Sequence, residues 1–291
     1  MSETNNNVPF DTVCIAGMSS KALIALGSLQ YLHDTNQLAS VQSYLGTSSG
    51  TIIAFMLIIG YTPAEMLSYI CVSQAFEKLS HFNLVAMMNG AGAASWSKVQ
   101  EILEKMTIEK IGYLPTMKCL LTKFKKKFTV VTYNLTKSQT EYISADTHPD
   151  LPALVAIRMS ANLPFVFEKY QYRGSYFIDG GVTDNFPLSK AEEMGKHVIG
   201  IQIAKRDKNK IKEKEDNKVI NTSFLHYLYK IMMLPVIELG KMQISKARKN
   251  TRVVQLKADT GIFAFSFKFT NTQKMDMFSS GYQQIKKILE E

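Results

Sequence analysis

Apolar residues recur along the chain with two alternating spacings. "TVCIAG" (Thr12–Gly17) is a short unbroken apolar run and predicts a buried strand. In "SKALIALGSLQYLHD" the leucines at 23, 26, 29 and 32 fall on one side of a 3.6-residue period and predict a helix. "SVQSYLG" predicts a second strand, and the run Thr51–Ile59 is apolar all round, as in a helix buried on every side. "TPAE" follows, with Thr62 as N-cap, Pro63 at the first helical position and Glu65 closing a capping box. "SWSKVQEILEKM" returns to the amphipathic helical spacing, and the β-branched run "FTVVTYNL" (Phe128–Leu135) predicts a strand.

The second half repeats the alternation. "DLPALVAIRMSANLPF" predicts a helix stopped by Pro164, and "YQYRGSYFIDGGVTDNFP" a strand, a turn, a strand and a glycine-rich loop. "KAEEMGKHVIGIQIA" predicts a helix and then a strand. Helix and strand in repeated succession imply an α/β fold of three layers, with a mainly parallel central sheet between helices. "KRDKNKIKEKEDNK" (Lys205–Lys218) interrupts the pattern with seven basic and four acidic side chains, and predicts a surface loop. Helical sequence follows ("SFLHYLYKIMMLPVIELGKMQISKA"), then a strand in "RVVQL" and a last helix in "TQKMDMFSSGYQQIKKILEE". The expected organisation is one domain over 1–291, with a core at 11–204, the basic loop at 205–218 and a helical extension with one strand at 219–291.

Composition changes this picture little. At 46% hydrophobic and 20% charged residues, the 291-residue chain is that of a folded globular protein. A net charge of +9 favours an anionic partner. Cys14, Cys71 and Cys119 are too few and too scattered for a disulfide framework or a metal site, so a reducing, cytoplasmic setting is expected. The polar start "MSETNNNVPFDT" predicts no signal peptide, and the longest apolar run, Ile52–Ile59, is far shorter than the ~20 residues that span a bilayer.

The candidate chemistry begins at "GTSSG" (Gly46–Gly50), a G-x-S-x-G match between a predicted strand and a predicted helix. A serine on so sharp a turn is pushed clear of the sheet, and the small residues Gly46 and Gly50 relieve crowding around it. Ser48 is then the candidate nucleophile, and the Ser49 amide a candidate oxyanion donor beside the helix N-terminus. A serine hydroxyl needs a base. His33, His81, His148, His197 and His226 each lack a supporting motif, although His197 or His226 would complete a Ser–His–Asp triad with Asp179. Asp179 has the stronger context. It follows an apolar strand and precedes Gly180 and Gly181, which places a carboxylate at a strand's C-terminal end, where open α/β sheets bind ligands. Desolvation there would raise its pKa into the range of a base.

With these elements in order, the chain resembles the patatin-like phospholipase family, lipid acyl hydrolases that use a Ser–Asp dyad. "GTSSG" matches the family's elbow, "DGG" its aspartate motif and "DNFPL" its Asn-x-Pro element. "AIRMSANLPFVF" is similar to the family's Ala-Ser…Pro…Phe stretch, through Ser160, Pro164 and Phe167. "FTVVTYNLTKSQTEYIS" and "HVIGIQI" look like its central strand with hairpin and the strand that follows. The likeness covers about residues 11–204 and returns in "SSGYQQIKK".

The resemblance implies a phospholipase A-type hydrolase with Ser48 as nucleophile, Asp179 as base, and no metal or organic cofactor. It also implies an oxyanion hole built from backbone amides of Gly17, Met18 and Ser19 with Ser49. The family's glycine-rich first loop is altered here to Gly17-Met18-Ser19-Ser20-Lys21-Ala22. A second reading is therefore a catalytically weakened lipid-binding or interaction protein. Expected partners are an acyl-lipid substrate and, peripherally, anionic membranes. "TKFKKKF" (Thr122–Phe128) is a candidate head-group contact, and "IMMLPVIELGKM" would either help bury an acyl chain or belong to the core. Without aromatic residues interleaved in a basic platform, no nucleic-acid partner is expected.

Overall fold

The computed structural model describes residues 8–73, 92, 94–204, 224–258 and 268–290. Four parallel pairings run through the sheet: β1 (Thr12–Ile15) lies between β2 (Ser43–Thr47) and β7 (Val198–Ile203), β3 (Lys127–Asn134) borders β2, and β8 (Thr251–Leu256) borders β7. The hairpin strand β4 (Gln139–Ile143) and the pair β5 (Tyr170–Tyr172) and β6 (Ser175–Asp179) add antiparallel pairings around β3. The β-branched and leucine-rich runs become the sheet interior, including Val13, Leu45, Val130, Val131 and Ile199.

The register around β3 matters most for function. Lys127–Val131 of β3 pairs with β2, and Val130–Asn134 pairs with β4, so β2 and β4 occupy opposite edges of the strand. Thr132–Asn134 pairs with β6 as well as with β4, which puts β6 on the same edge as β2. Thr47 ends its ladder opposite Val131, and Asp179 begins its ladder opposite Thr132. The residue after Thr47 and the residue that ends β6 are thus delivered to one point on the sheet from opposite directions.

Helices cover both faces. α1 (Ala22–Asp34) carries the four leucines inward, and α2 (Ser49–Ile58) is buried along most of its length. α3 (Pro63–Ser73) opens on the capping box: the Thr62 amide donates to Glu65 at 2.7 Å and the Glu65 amide to Thr62 Oγ1 at 3.2 Å. α4 (Ser97–Ile111), α5 (Met117–Phe124), α6 (Ala153–Ser160) and α7 (Leu188–Met194) complete the described set before β7. α6 stops at Ser160, before Pro164, and the Asn162 side chain then turns to donate to the Phe177 carbonyl at 2.7 Å. After β7 come α8 (Phe224–Ser245), β8 and α9 (Asn271–Glu290).

α9 crosses α1 backbone to backbone. A Cβ at Gly27 would sit 1.8 Å from the Phe278 carbonyl oxygen, and one at Gly281 1.8 Å from that of Ile24. The C-terminal segment is therefore packed into the core around α1, and Tyr31 meets Tyr282 edge to face at 5.4 Å. Among the described residues no single helix is long and apolar enough to cross a membrane. The expected basic loop, Lys205–Lys218, lies outside the described residues, as does His81.

Candidate active site

Ser48 stands between β2 and α2 with φ 53° and ψ −125°, a conformation that a residue with a side chain adopts only under strain. Its surroundings enforce that geometry. A Cβ at Gly46 would meet the Gly50 backbone at 2.7 Å, and one at Gly50 would meet the Ile15 carbonyl oxygen at 2.3 Å. The turn closes only because both positions are glycine. The Ser48 amide donates to Ser160 Oγ at 2.9 Å, which ties the turn to the end of α6.

Asp179 is 2% exposed, and the Ser48 hydroxyl lies close enough to it to favour the ionised carboxylate. Burial pushes its pKa up from the ordinary carboxylate range to about 6, against the lowering effect of the nearby Ser48 hydroxyl and the Gly181 amide. The Gly181 amide lies 2.7 Å from Asp179 Oδ1, and the Asp179 amide donates to the Asn162 carbonyl at 2.9 Å. Gly180 lets this turn lie against β3, since a Cβ there would be 2.3 Å from the Val131 carbonyl oxygen.

The amides expected at the oxyanion position already have acceptors in two cases. Gly17 N–H donates to the Asn185 carbonyl at 3.0 Å, and Met18 N–H to Ser49 Oγ at 2.9 Å. Ser19 begins a 3₁₀ turn in the left-handed region, at φ 49°. Ser49 is the first residue of α2, a position whose N–H has no acceptor within its own helix. Asn185 joins the two loops a second time, its side-chain amide donating to the Gly17 carbonyl at 3.0 Å.

Beside Ser48 and Ser49 opens a cavity of about 220 Å³. Its wall is almost wholly apolar and includes Leu23, Ile52, Met66, Ile70, Leu103 and Phe167. One wall is held by Arg158, a buried cation. Its guanidinium packs 4.8 Å from the Trp96 ring centroid and 5.0 Å from that of Tyr170, and pairs with Glu168 at 3.1 Å. Glu168 also accepts from the Trp96 amide at 3.2 Å, and Arg158 donates to Asn162 Oδ1 at 2.8 Å. Desolvation lowers the Arg158 pKa to about 10, opposed by Glu168. Arg158 and Asn162 thus connect the cavity wall to Asp179. The only sign of this in the sequence is a lone arginine in an apolar helix.

The other expected sites lie elsewhere. His197 precedes β7, its carbonyl accepting from the Asp11 amide at 3.0 Å, so it sits at the sheet edge opposite Ser48. His148 lies beyond β4, in the Ser144–Leu151 turns that lead away from the Ser48 end of the sheet, and His33 is at the far end of α1 from the Ser19 turn. The side chain of His226 lies outside the described residues. Contrary to expectation, the "TKFKKKF" stretch is also at the opposite edge. Lys127 is in register with Ser43, a strand length or about 16 Å from the elbow, and pairs with Asp146 at 2.5 Å. Lys126 Nζ is taken by the Val41 carbonyl and Phe128 is buried. Nor does "IMMLPVIELGKM" contribute to the cavity wall: Ile231, Leu234, Leu239 and Met242 are exposed. Among the described residues no cluster of three His, Cys, Asp or Glu side chains could hold a metal ion.

The chain is similar in sequence and in fold to known proteins. The chain is 29% identical over 227 residues to "Probable lipid hydrolase 463L" of Invertebrate iridescent virus 6, covering 76% of this chain and 72% of that protein. It is 25% identical to the uncharacterized protein R571 of Acanthamoeba polyphaga mimivirus, over 85% and 82% of the two chains. In fold it is similar to VipD from Legionella pneumophila (TM-score 0.55, 15% identity, 97% of this chain and 67% of VipD). It is also similar to the type III effector ExoU of Pseudomonas aeruginosa (TM-score 0.51, 14% identity, 97% of this chain and 53% of ExoU). The family model for patatin-like phospholipase matches residues 13–191, more than half of the chain, and the protein belongs to the patatin-like phospholipase family.

Proposed function

We propose that this protein is a lipid acyl hydrolase of the phospholipase A type, working through Ser48 and Asp179. The observation that carries this reading is a serine held on a strained turn beside a buried carboxylate and lining an apolar cavity. At about 25 Å³ per carbon, judged from cavities that hold benzene, the cavity takes a single acyl segment of some nine carbons. Each methylene buried there contributes about 0.8 kcal/mol, so chain length becomes a source of binding energy.

In the proposed reaction Asp179 takes the Ser48 proton as Oγ bonds to the acyl carbonyl carbon. The electron pair moves to the carbonyl oxygen, where the Ser49 amide and the α2 N-terminus oppose the charge. Collapse breaks the ester bond, and the leaving alcohol receives the proton held by Asp179. Water then attacks acyl-Ser48 while Asp179 takes its proton, and the fatty acid departs as Ser48 is reprotonated. Hydrolysis of long-chain phospholipids by wild type, Ser48→Ala and Asp179→Asn tests this. Turnover by the wild type alone is expected, and equal turnover by all three would refute the assignment.

A second reading has one specific observation behind it. Met18 N–H is already bonded to Ser49 Oγ, and must exchange that acceptor for the acyl oxygen before it can stabilise charge. Losing one such donor costs on the order of 10²–10³ in rate, so a lipid-binding protein with weakened turnover fits the same fold. A fluorophosphonate adduct on Ser48 separates the two readings, because only an activated serine reacts.

A further inference from the structure

α8 faces the wrong way for a core helix. Val236 is buried, while Tyr227, Ile231, Leu234, Leu239 and Met242 are 49%, 45%, 58%, 45% and 53% exposed. At 3.6 residues per turn, Tyr227, Ile231, Leu234 and Met242 fall within an arc of about 80°, with Leu239 at its border. Glu238 lies within this arc and Lys241 beside it, but the two are joined at 2.7 Å, so their charges offset each other. An apolar face of this extent, crossed by one neutral ion pair, needs an occupant.

The position of the helix points to one. Gln243, near its C-terminal end, donates to Asp184 Oδ1 at 3.0 Å and accepts from the Leu188 amide at 3.1 Å, level with the catalytic loop. From there the chain runs down α7, where the Arg248 amide meets Glu192 at 2.8 Å, to the start of β8 at the opposite edge. The turns of α8 before Gln243 therefore belong to the catalytic side of the molecule. On the other flank of the same Asp179–Asp184 segment, the turn after Asn162 presents Phe165, 47% exposed at φ 67°, next to the cavity residues Leu163, Val166 and Phe167. A bulky aromatic held out of the core in the left-handed region, beside a cavity mouth, supplies apolar area of the kind that interfacial surfaces insert into a bilayer.

We propose that the outward face of α8, with Phe165, is the surface by which this protein docks on an anionic lipid bilayer. The inference rests on the acyl-hydrolase reading, which places the substrate in such a layer. The net charge of +9 supplies the long-range attraction, and the apolar face enters the head-group boundary. The helix lies along the surface and does not span it.

Full-length Ser48→Ala protein, which leaves the lipid intact, is sedimented with vesicles of phosphatidylcholine alone or mixed with phosphatidylserine, with and without Leu234→Glu plus Met242→Glu. Both added substitutions replace solvent-facing side chains, and circular dichroism and thermal melting verify the fold. Binding to the phosphatidylserine vesicles is expected to fall about tenfold or more in the substituted protein. Equal binding by both forms, or no binding by either, overturns the proposal. So does a shift from dimer to monomer in gel filtration with vesicle binding unchanged, which would give this face to a second copy. Failure of the hydrolase reading appears in a different channel: protein carrying Ser48 would then leave a soluble butyrate ester intact, whichever way the vesicles behave.

Discussion

At the residue scale, Asp179 is a carboxylate held where ionisation is costly. Asp179 keeps a pKa of about 6 because burial disfavours its ionised form. The unfolded chain ionises this group near pH 4, whereas the folded chain does so near pH 6. Below the lower value both states are protonated and the group is neutral toward stability. Between the two values stability declines as pH rises, and above the upper one the cost is complete, on the order of 3 kcal/mol. Asp179→Asn should therefore abolish turnover yet raise the melting temperature at pH 7.5, with the gain vanishing near pH 3.5. Calorimetry at the two pH values checks this, and an Asn variant less stable than wild type at pH 7.5 would count against it. Ser160 makes a separate prediction. Its hydroxyl holds the Ser48 amide at 2.9 Å, so Ser160→Ala should lower kcat about tenfold with KM little changed, while Ser160→Thr restores part of the loss. The turns that place Ser48 and Asp179 at neighbouring points of the sheet were legible in the sequence because each carries its own glycines. The acceptors of the Gly17 and Met18 amides were not, since Asn185 arrives from 168 positions away and Ser49 Oγ from 31.

At the scale of elements, two contacts are decisive. The first is the crossing of α1 and α9, where Gly27 and Gly281 leave no room for a side chain. Gly281→Val should destabilise the protein by about 3 kcal/mol or prevent folding, measurable as a lowered denaturation midpoint. The second is the Arg158 clamp. Arg158→Met leaves Asn162 Oδ1 buried without its donor and frees Glu168 from the cavity wall. Stability should fall by about 2–4 kcal/mol, and activity should fall more on long-chain than on butyrate esters, because the wall acts on the acyl chain. Comparable losses on both esters would mean that Arg158 acts through Asp179 alone. Apart from β4, which came only with the family resemblance, the strands, α2, α4 and the Thr62 capping box were readable from apolar runs, period and caps. The sharing of one β3 edge by β2 and β6 was not, because register is a property of pairing and period alone does not encode it. α8 exposes the same limit: an apolar stripe announces a face to be covered without saying whether the protein itself covers it.

Across the whole molecule, chemistry gathers at one end of the sheet. Ser48, Asp179, the cavity mouth, Phe165 and Gln243 of α8 gather at the C-terminal edge, whereas His197 and the Lys126–Lys127 pair sit at the other. A lysine-rich stretch reads as a head-group contact from its composition, but composition carries no direction, and β3 places it behind the site. The central claim is that Asp179 activates Ser48 within this edge. The most direct measurement is the rate of fluorophosphonate labelling, with the adduct located by mass spectrometry, as a function of pH. The account predicts modification of Ser48, a rate that climbs through an apparent pKa near 6, and loss of both in Asp179→Asn. A Ser48 that labels equally well without Asp179, or a rate indifferent to pH between 5 and 8, would contradict it.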